Sequence, residues 1–206
     1  MIDSALIRKI VVYFIYTMLI VCVQVSFPNS FTFNHQVMDF MFVYVCLVSY
    51  YFGTIDGLII GCVVGICRDV LATPVIVGTD GNANLVYGLG LLLMVGVSLL
   101  SSNFFTKHTR RKFSFAMMDV LVMTILYKLF GHIVNLGFNI FILGKNYSLS
   151  FQQVLFDSVT TQFILNLLAA LPIVVLLRFM GPYRSGINPR LLNKSEFGGD
   201  DNWLTI

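Results

Sequence analysis

Charged residues are so scarce along this chain that no water-facing surface can be assembled from them. Asp, Glu, Lys and Arg supply 11% of the 206 residues and hydrophobic types 57%, where soluble domains have about 25% and about 45–50%. The apolar residues form long runs separated by short polar or Pro/Gly-containing breaks. This excludes a soluble enzyme core, a disordered chain and a collagen-like repeat, and predicts a polytopic membrane protein. A bilayer core of about 30 Å takes about 20 apolar residues per helix. By that measure six spans are predicted, over residues 7–27, 38–52, 54–73, 82–105, 113–143 and 157–180. The second is short for a full crossing. The fifth is too long for one straight crossing, so Gly131 and Gly137 break or kink it, or it projects beyond the bilayer. Pro172 predicts a kink in the sixth. Only Gly53 separates the second and third, which must form a tight helical hairpin. The fold class is therefore all-α, a six-helix transmembrane bundle over residues 1–180, followed by a polar tail over 181–206.

The basic residues orient this bundle. If the chain starts inside, the cytoplasmic segments carry Arg8 and Lys9, then Lys107, Arg110, Arg111 and Lys112, then Arg178, Arg184, Arg190 and Lys194. The other side keeps Lys145 and, at a span end, Arg68. The positive-inside rule then places both termini in the cytoplasm. The first apolar run lacks a small-residue cleavage site after it and reads as a signal anchor kept as the first span. Cys22, Cys46, Cys62 and Cys67 all lie in apolar runs, and none makes a C-x-x-C pair, so they read as small hydrophobes.

The strongest local pattern is Gly57-x-x-x-Gly61-x-x-x-Gly65-x-x-x-Asp69. Four-residue spacing keeps these positions near one helix face, where missing side chains let another backbone come close. The groove so formed serves packing within the bundle, docking of another protein's helix, or a small ligand. Ionisable groups in a membrane are costly and usually paired. Arg68 and Asp69 end the third span, Asp39 opens the second and Asp157 opens the sixth, all toward the external side. A network of Arg68 with one or more of Asp39, Asp69 and Asp157 is predicted, either stabilising the fold or forming an interaction site. On the fifth span Lys128, His132, Asn135 and Asn139, spaced four, three and four, form a polar stripe. Structural packing, protein docking and transport all remain open for it. Gln162 and Asn166 repeat the four-residue spacing on the sixth span and are candidates to bond to that seam. Thr79-Asp80-Gly81-Asn82 reads as a turn with Asn82 capping the fourth helix.

Catalytic patterns are missing. There is no Walker A loop, H-E-x-x-H, C-x-x-C or G-x-S-x-G. His35, His108 and His132 fall outside, inside and within the membrane by topology, too far apart for one metal site. No cofactor, metal or enzymatic activity is expected. The basic loop at 107–112 is explained by topology rather than by nucleic acid, and it can meet anionic membrane lipid.

Across most of its length the chain resembles the MreD family of bacterial rod-shape-determining membrane proteins. The resemblance rests on Arg8 and Lys9 before a first span bearing Gln24, and on Met38-Asp39 opening the second span. It continues in the glycine series Gly53, Gly57, Gly61 and Gly65 ending in Asp69. Next come Gly78 and Gly81, leading to a fourth span with Gly88 and Gly90, then the basic loop and two further spans. Departures are Met38 where the family often has Pro, Arg68 where an apolar residue is common, a longer connection over 74–84, and an extended tail after Arg184. The resemblance implies a non-catalytic scaffold of the cell-elongation machinery in the bacterial cytoplasmic membrane. Its partner would be an MreC-like single-span protein, linking MreB filaments to a SEDS glycosyltransferase and a class B penicillin-binding protein. It also implies a fold similar to the substrate-binding subunits of energy-coupling-factor vitamin transporters. Such a subunit is the alternative function, although the first span lacks the alanine face those subunits commonly offer their coupling partner.

Overall fold

A computed structural model describes residues 4–26, 36–71, 75–77, 83–85, 88–104, 112–141 and 160–183. They form six helices: α1 (Ser4–Ser26), α2 (Phe40–Phe52), α3 (Thr54–Leu71), α4 (Leu89–Phe104), α5 (Phe113–Phe141) and α6 (Thr160–Met180). Strands β1 (Val75–Val77) and β2 (Ala83–Leu85) make a small antiparallel pair between α3 and α4, with Val75 opposite Leu85. Three helical stretches are long and apolar enough to cross a membrane, Leu6–Ser26, Phe113–Val134 and Thr160–Met180.

The short second helix is explained by its place. α2 has 13 residues, about 20 Å at 1.5 Å per residue, and it touches all five other helices. Every residue from Met41 to Phe52 is buried, on all sides of the helix. A helix hydrophobic all round belongs in the middle of a fold, and one wrapped by protein need not match the thickness of a bilayer. Around it, α1, α3 and α6 turn apolar side chains outward, among them Ile10, Phe14, Ile59, Ile66, Val175 and Phe179. That is an inside–outside arrangement suited to lipid rather than water.

Gly53 alone joins α2 to α3, at φ 92° and ψ −178°. A left-handed φ of this kind costs glycine nothing and strains any residue with a Cβ. Its N–H donates to the Ser49 carbonyl at 3.0 Å, and its own carbonyl accepts from the Gly57 N–H at 2.9 Å. One helix thus ends and the next begins on a single residue.

One sequence expectation is corrected, and one alternative is narrowed. The fourth helix starts at Leu89 rather than Asn82, because Ala83–Leu85 pairs as a strand. Its cap comes from a remote side chain, Asp69, described below. The fifth helix continues as one helix through Gly131 and Gly137, and its 29 residues measure about 43 Å. Pro172 does sit inside α6.

Candidate functional site

A helix with no water around it must find partners for its first N–H groups within the protein. At the start of α2, α1 and α6 supply them. Gln24 of α1 accepts from the Phe40 N–H at 2.7 Å and donates to the Met38 carbonyl at 3.1 Å. Asp39 is the N-cap, its Oδ1 accepting from the Phe42 N–H at 3.0 Å. Gln162 of α6 donates to the Val37 carbonyl and to Asn166 Oδ1, both at 2.9 Å. Asn166 Oδ1 also accepts the Asp39 N–H at 3.3 Å. Asn166 then donates to Thr124 of α5 at 3.1 Å. The expected bond from α6 to the polar stripe of α5 therefore falls on Thr124, a turn before Lys128.

These groups surround a cavity of about 210 Å³ at this end of the bundle. Its charged walls are Asp39, Arg68 and Lys128, and Tyr127 and Gln36 complete the part that matters chemically. Arg68 Nη1 lies 2.7 Å from Asp39 Oδ2, with the two side chains 20% and 14% exposed. The guanidinium also lies over the Tyr127 ring, 5.4 Å from its centre. Lys128 Nζ donates to Gln36 Oε1 at 3.1 Å. The predicted ion pair at this end is thus present between Arg68 and Asp39.

Asp69 has other duties. Its Oδ1 accepts from the Gly90 N–H at 2.8 Å, and its Oδ2 accepts from Gly88 and Leu91, both at 3.1 Å. It is the cap of α4, a carboxylate at the positive end of a helix dipole. The glycine stripe is filled by that same helix, joined at Gly57 by α2. A Cβ on Gly65 would lie 2.6 Å from Leu91 Cα and one on Gly61 3.1 Å from the Met94 carbonyl oxygen, whereas one on Gly57 would run first into the Ser49 hydroxyl of α2 and then lie 2.7 Å from Ser98 Oγ of α4. Of the readings open for the stripe, packing within the bundle is the one observed, with α4 along its length and α2 at Gly57. Of the remaining predicted residues, His132 is half-buried on α5. The side chains of Asn135 and Asn139 and the whole of Asp157 lie outside the described residues.

Two buried acids escaped the sequence reading. Asp56, in the first turn of α3, is 2% exposed. Lys9 Nζ meets its Oδ1 at 2.5 Å, and the hydroxyls of Tyr13 and Tyr183 donate to its Oδ2 at 2.8 and 2.7 Å. Matching each acid in an apolar run to a base at the same end of a span would have paired Asp56 with Lys9. Asp119 of α5 is fully buried. The Ser101 hydroxyl sits 2.5 Å from Asp119 Oδ2 and 2.9 Å from the Cys46 carbonyl. A hydroxyl has one hydrogen for these two acceptors. The count closes when Asp119 carries its own proton and donates it to Ser101, which in turn donates to Cys46. Asp119 is visible as an acid inside an apolar run, but the sequence does not reveal its partner, which comes from α4.

Among the described residues the cavity is lined by one carboxylate, one guanidinium and one amine, with no nucleophile beside a base. No family model, curated protein or solved structure matches this chain.

Proposed function

We propose that the chain is a non-catalytic, six-span scaffold of the bacterial cell-elongation machinery. In this reading it lies in the cytoplasmic membrane with both termini inside. It docks an MreC-like single-span protein and so helps couple MreB filaments to the SEDS glycosyltransferase and class B penicillin-binding protein. The observation that supports it best is the fate of the glycine series that carries the MreD resemblance. Gly57, Gly61, Gly65 and Asp69 all serve the bundle, Gly61 and Gly65 seating α4, Gly57 lying against both α2 and α4, and the aspartate capping α4. The motif is thereby architectural, as a scaffold's signature would be, and the partner's helix must use one of the outward apolar faces.

The test is recovery of a tagged chain from native membranes in mild detergent, followed by mass spectrometry. Co-purification of an MreC-like protein is expected. Recovery of a coupling protein with paired ATPases would instead establish the second reading, a vitamin-binding subunit of an energy-coupling-factor transporter. The polar cavity favours that second reading, and its volume of about 210 Å³ weighs against it, since pockets for drug-sized ligands run from about 300 Å³.

A further inference from the structure

We propose that Asp119 is a binding site for an exchangeable proton, and that this proton fastens α5 to α4 and α2 near the end where α5 starts. Three helices pack against α5, namely α2, α4 and α6. α4 has no titratable residue along its length and offers Asp119 the Ser101 hydroxyl. α2 brings the carbonyl and the buried thiol of Cys46, while its Tyr50 hydroxyl is turned to the Lys112 carbonyl. The one charged residue of α6, Arg178, stands in its last turn. Along α5 itself, Lys112 lies seven residues before Asp119 and Lys128 nine after it. Among the described residues no ion pair reaches Asp119.

The carboxyl is fully buried, and its Oδ1 has no hydrogen-bond partner among the described residues. An ionised carboxylate here has one hydroxyl for its two oxygens and no cation, which is the costly form of a buried charge. It also takes the single Ser101 hydrogen, leaving Ser101 Oγ 2.9 Å from the Cys46 carbonyl with no hydrogen between them. The neutral acid removes both faults. Its Oδ2–H donates to Ser101, the Ser101 hydroxyl donates to Cys46, and one chain of bonds joins α5, α4 and α2. Only Oδ1, then a carbonyl oxygen, stays bare. Loss of the proton breaks one of the two links and leaves a charge in its place. The proton has a short way to travel. Ser101 is in the last turn of α4, and α5 is exposed from Lys112 to Ser114. Ser114 stands five residues before Asp119, about 8 Å along the helix. The contact between α4 and α5 is therefore tight with the proton bound and loosened when it leaves.

The test uses the full chain in a maltoside detergent, which has no carbonyl group of its own. Infrared spectra are taken as the pH is raised from about 5 to about 9, above the ordinary Asp value of about 3.9. A protonated carboxyl shows a carbonyl-stretch band apart from the amide band. The wild-type chain is expected to show this band at the acid end and lose it toward the alkaline end, and Asp119→Asn to lack it throughout. The wild-type melting temperature is expected to fall across the same range, because the alkaline form has to bury a charge, and that of Asp119→Asn to fall less. A spectrum with no band that Asp119→Asn removes overturns the proposal, since the acid is then ionised throughout. A band that persists unchanged to the alkaline end also overturns it, since the proton is then fixed. Equal pH dependence of melting in the two proteins overturns the fastening role. Should Asp119→Asn fail to fold, Ser101→Ala takes its place. It is expected to keep the band and move it to higher frequency, as for an acid that has lost its acceptor, and an unmoved band overturns the assignment.

Discussion

The two ends of the bundle handle buried charge in opposite ways. At the end where α1 starts, Asp56 is enclosed by Lys9, Tyr13 and Tyr183, one base and two hydroxyls around one carboxylate. The Lys9 ammonium also lies 5.2 Å from the centre of the Tyr183 ring. Nearby, Arg8 donates to the Gly181 carbonyl and Tyr16 to the Met180 carbonyl, closing the end of α6. At the opposite end Arg68 and Asp39 pair, Lys128 donates to Gln36, Asp69 caps α4, and a cavity lies between Asp39, Arg68 and Lys128. The closed cluster saturates itself and ties three segments together, which is a structural task. The second cluster spreads its charges around a polar space instead of closing on one carboxylate.

Breaking the closed cluster should cost most. Asp56→Ala strands a base and two hydroxyls, and removing one partner of a buried pair costs about 3–5 kcal/mol. The lower part of that range is expected because the Lys9 side chain is 26% exposed. Thermal unfolding in detergent measures it, and a loss no larger than that of Arg68→Gln would abolish the contrast between the ends. Gly65→Ala comes next, since its Cβ would meet backbone at Leu91. Overpacking of this kind costs about 1–3 kcal/mol, and the same assay would show it as a lowered midpoint. Arg68→Gln removes a mostly buried ion pair but leaves the Asp39 cap, so the loss expected is that of a hydrogen bond to a charged group, about 1.5–3 kcal/mol, smaller than that of Asp56→Ala.

Asp119→Asn sharpens the picture between the ends. If Asp119 is a neutral acid donating to Ser101, an amide replaces it with a donor in the same place, and stability should change by less than about 1 kcal/mol. A loss of several kcal/mol would mean that the ionised carboxylate is what the fold requires. Smallest of all is Gly131→Ala. Among the described residues nothing lies within 4 Å of a Cβ there, so helix propensity should raise stability, by at most about 1 kcal/mol.

What the sequence made legible follows from the range of the forces involved. Apolar runs declare helices locally, so α1, α2, α3 and α6 fall close to their expected ranges. The Arg68–Asp39 pair was legible because topology brings two intramembrane charges to one end. The start of α4 was misplaced because its cap, Asp69, lies about twenty residues upstream and reaches it only through the fold. Gln36 was passed over for a related reason, since its role exists only because Lys128 stands beside it. Asp119 was missed because the chain around it reads as an ordinary helix start. The central burial of α2 was hinted at by its length and settled by its neighbours.

The most direct test of the proposed role is depletion of the chain in its native cell, with cell width followed by microscopy. The account expects cells to widen and round as the chain is lost, and to recover when it is restored. Unchanged cell shape together with failing uptake of a vitamin would contradict it.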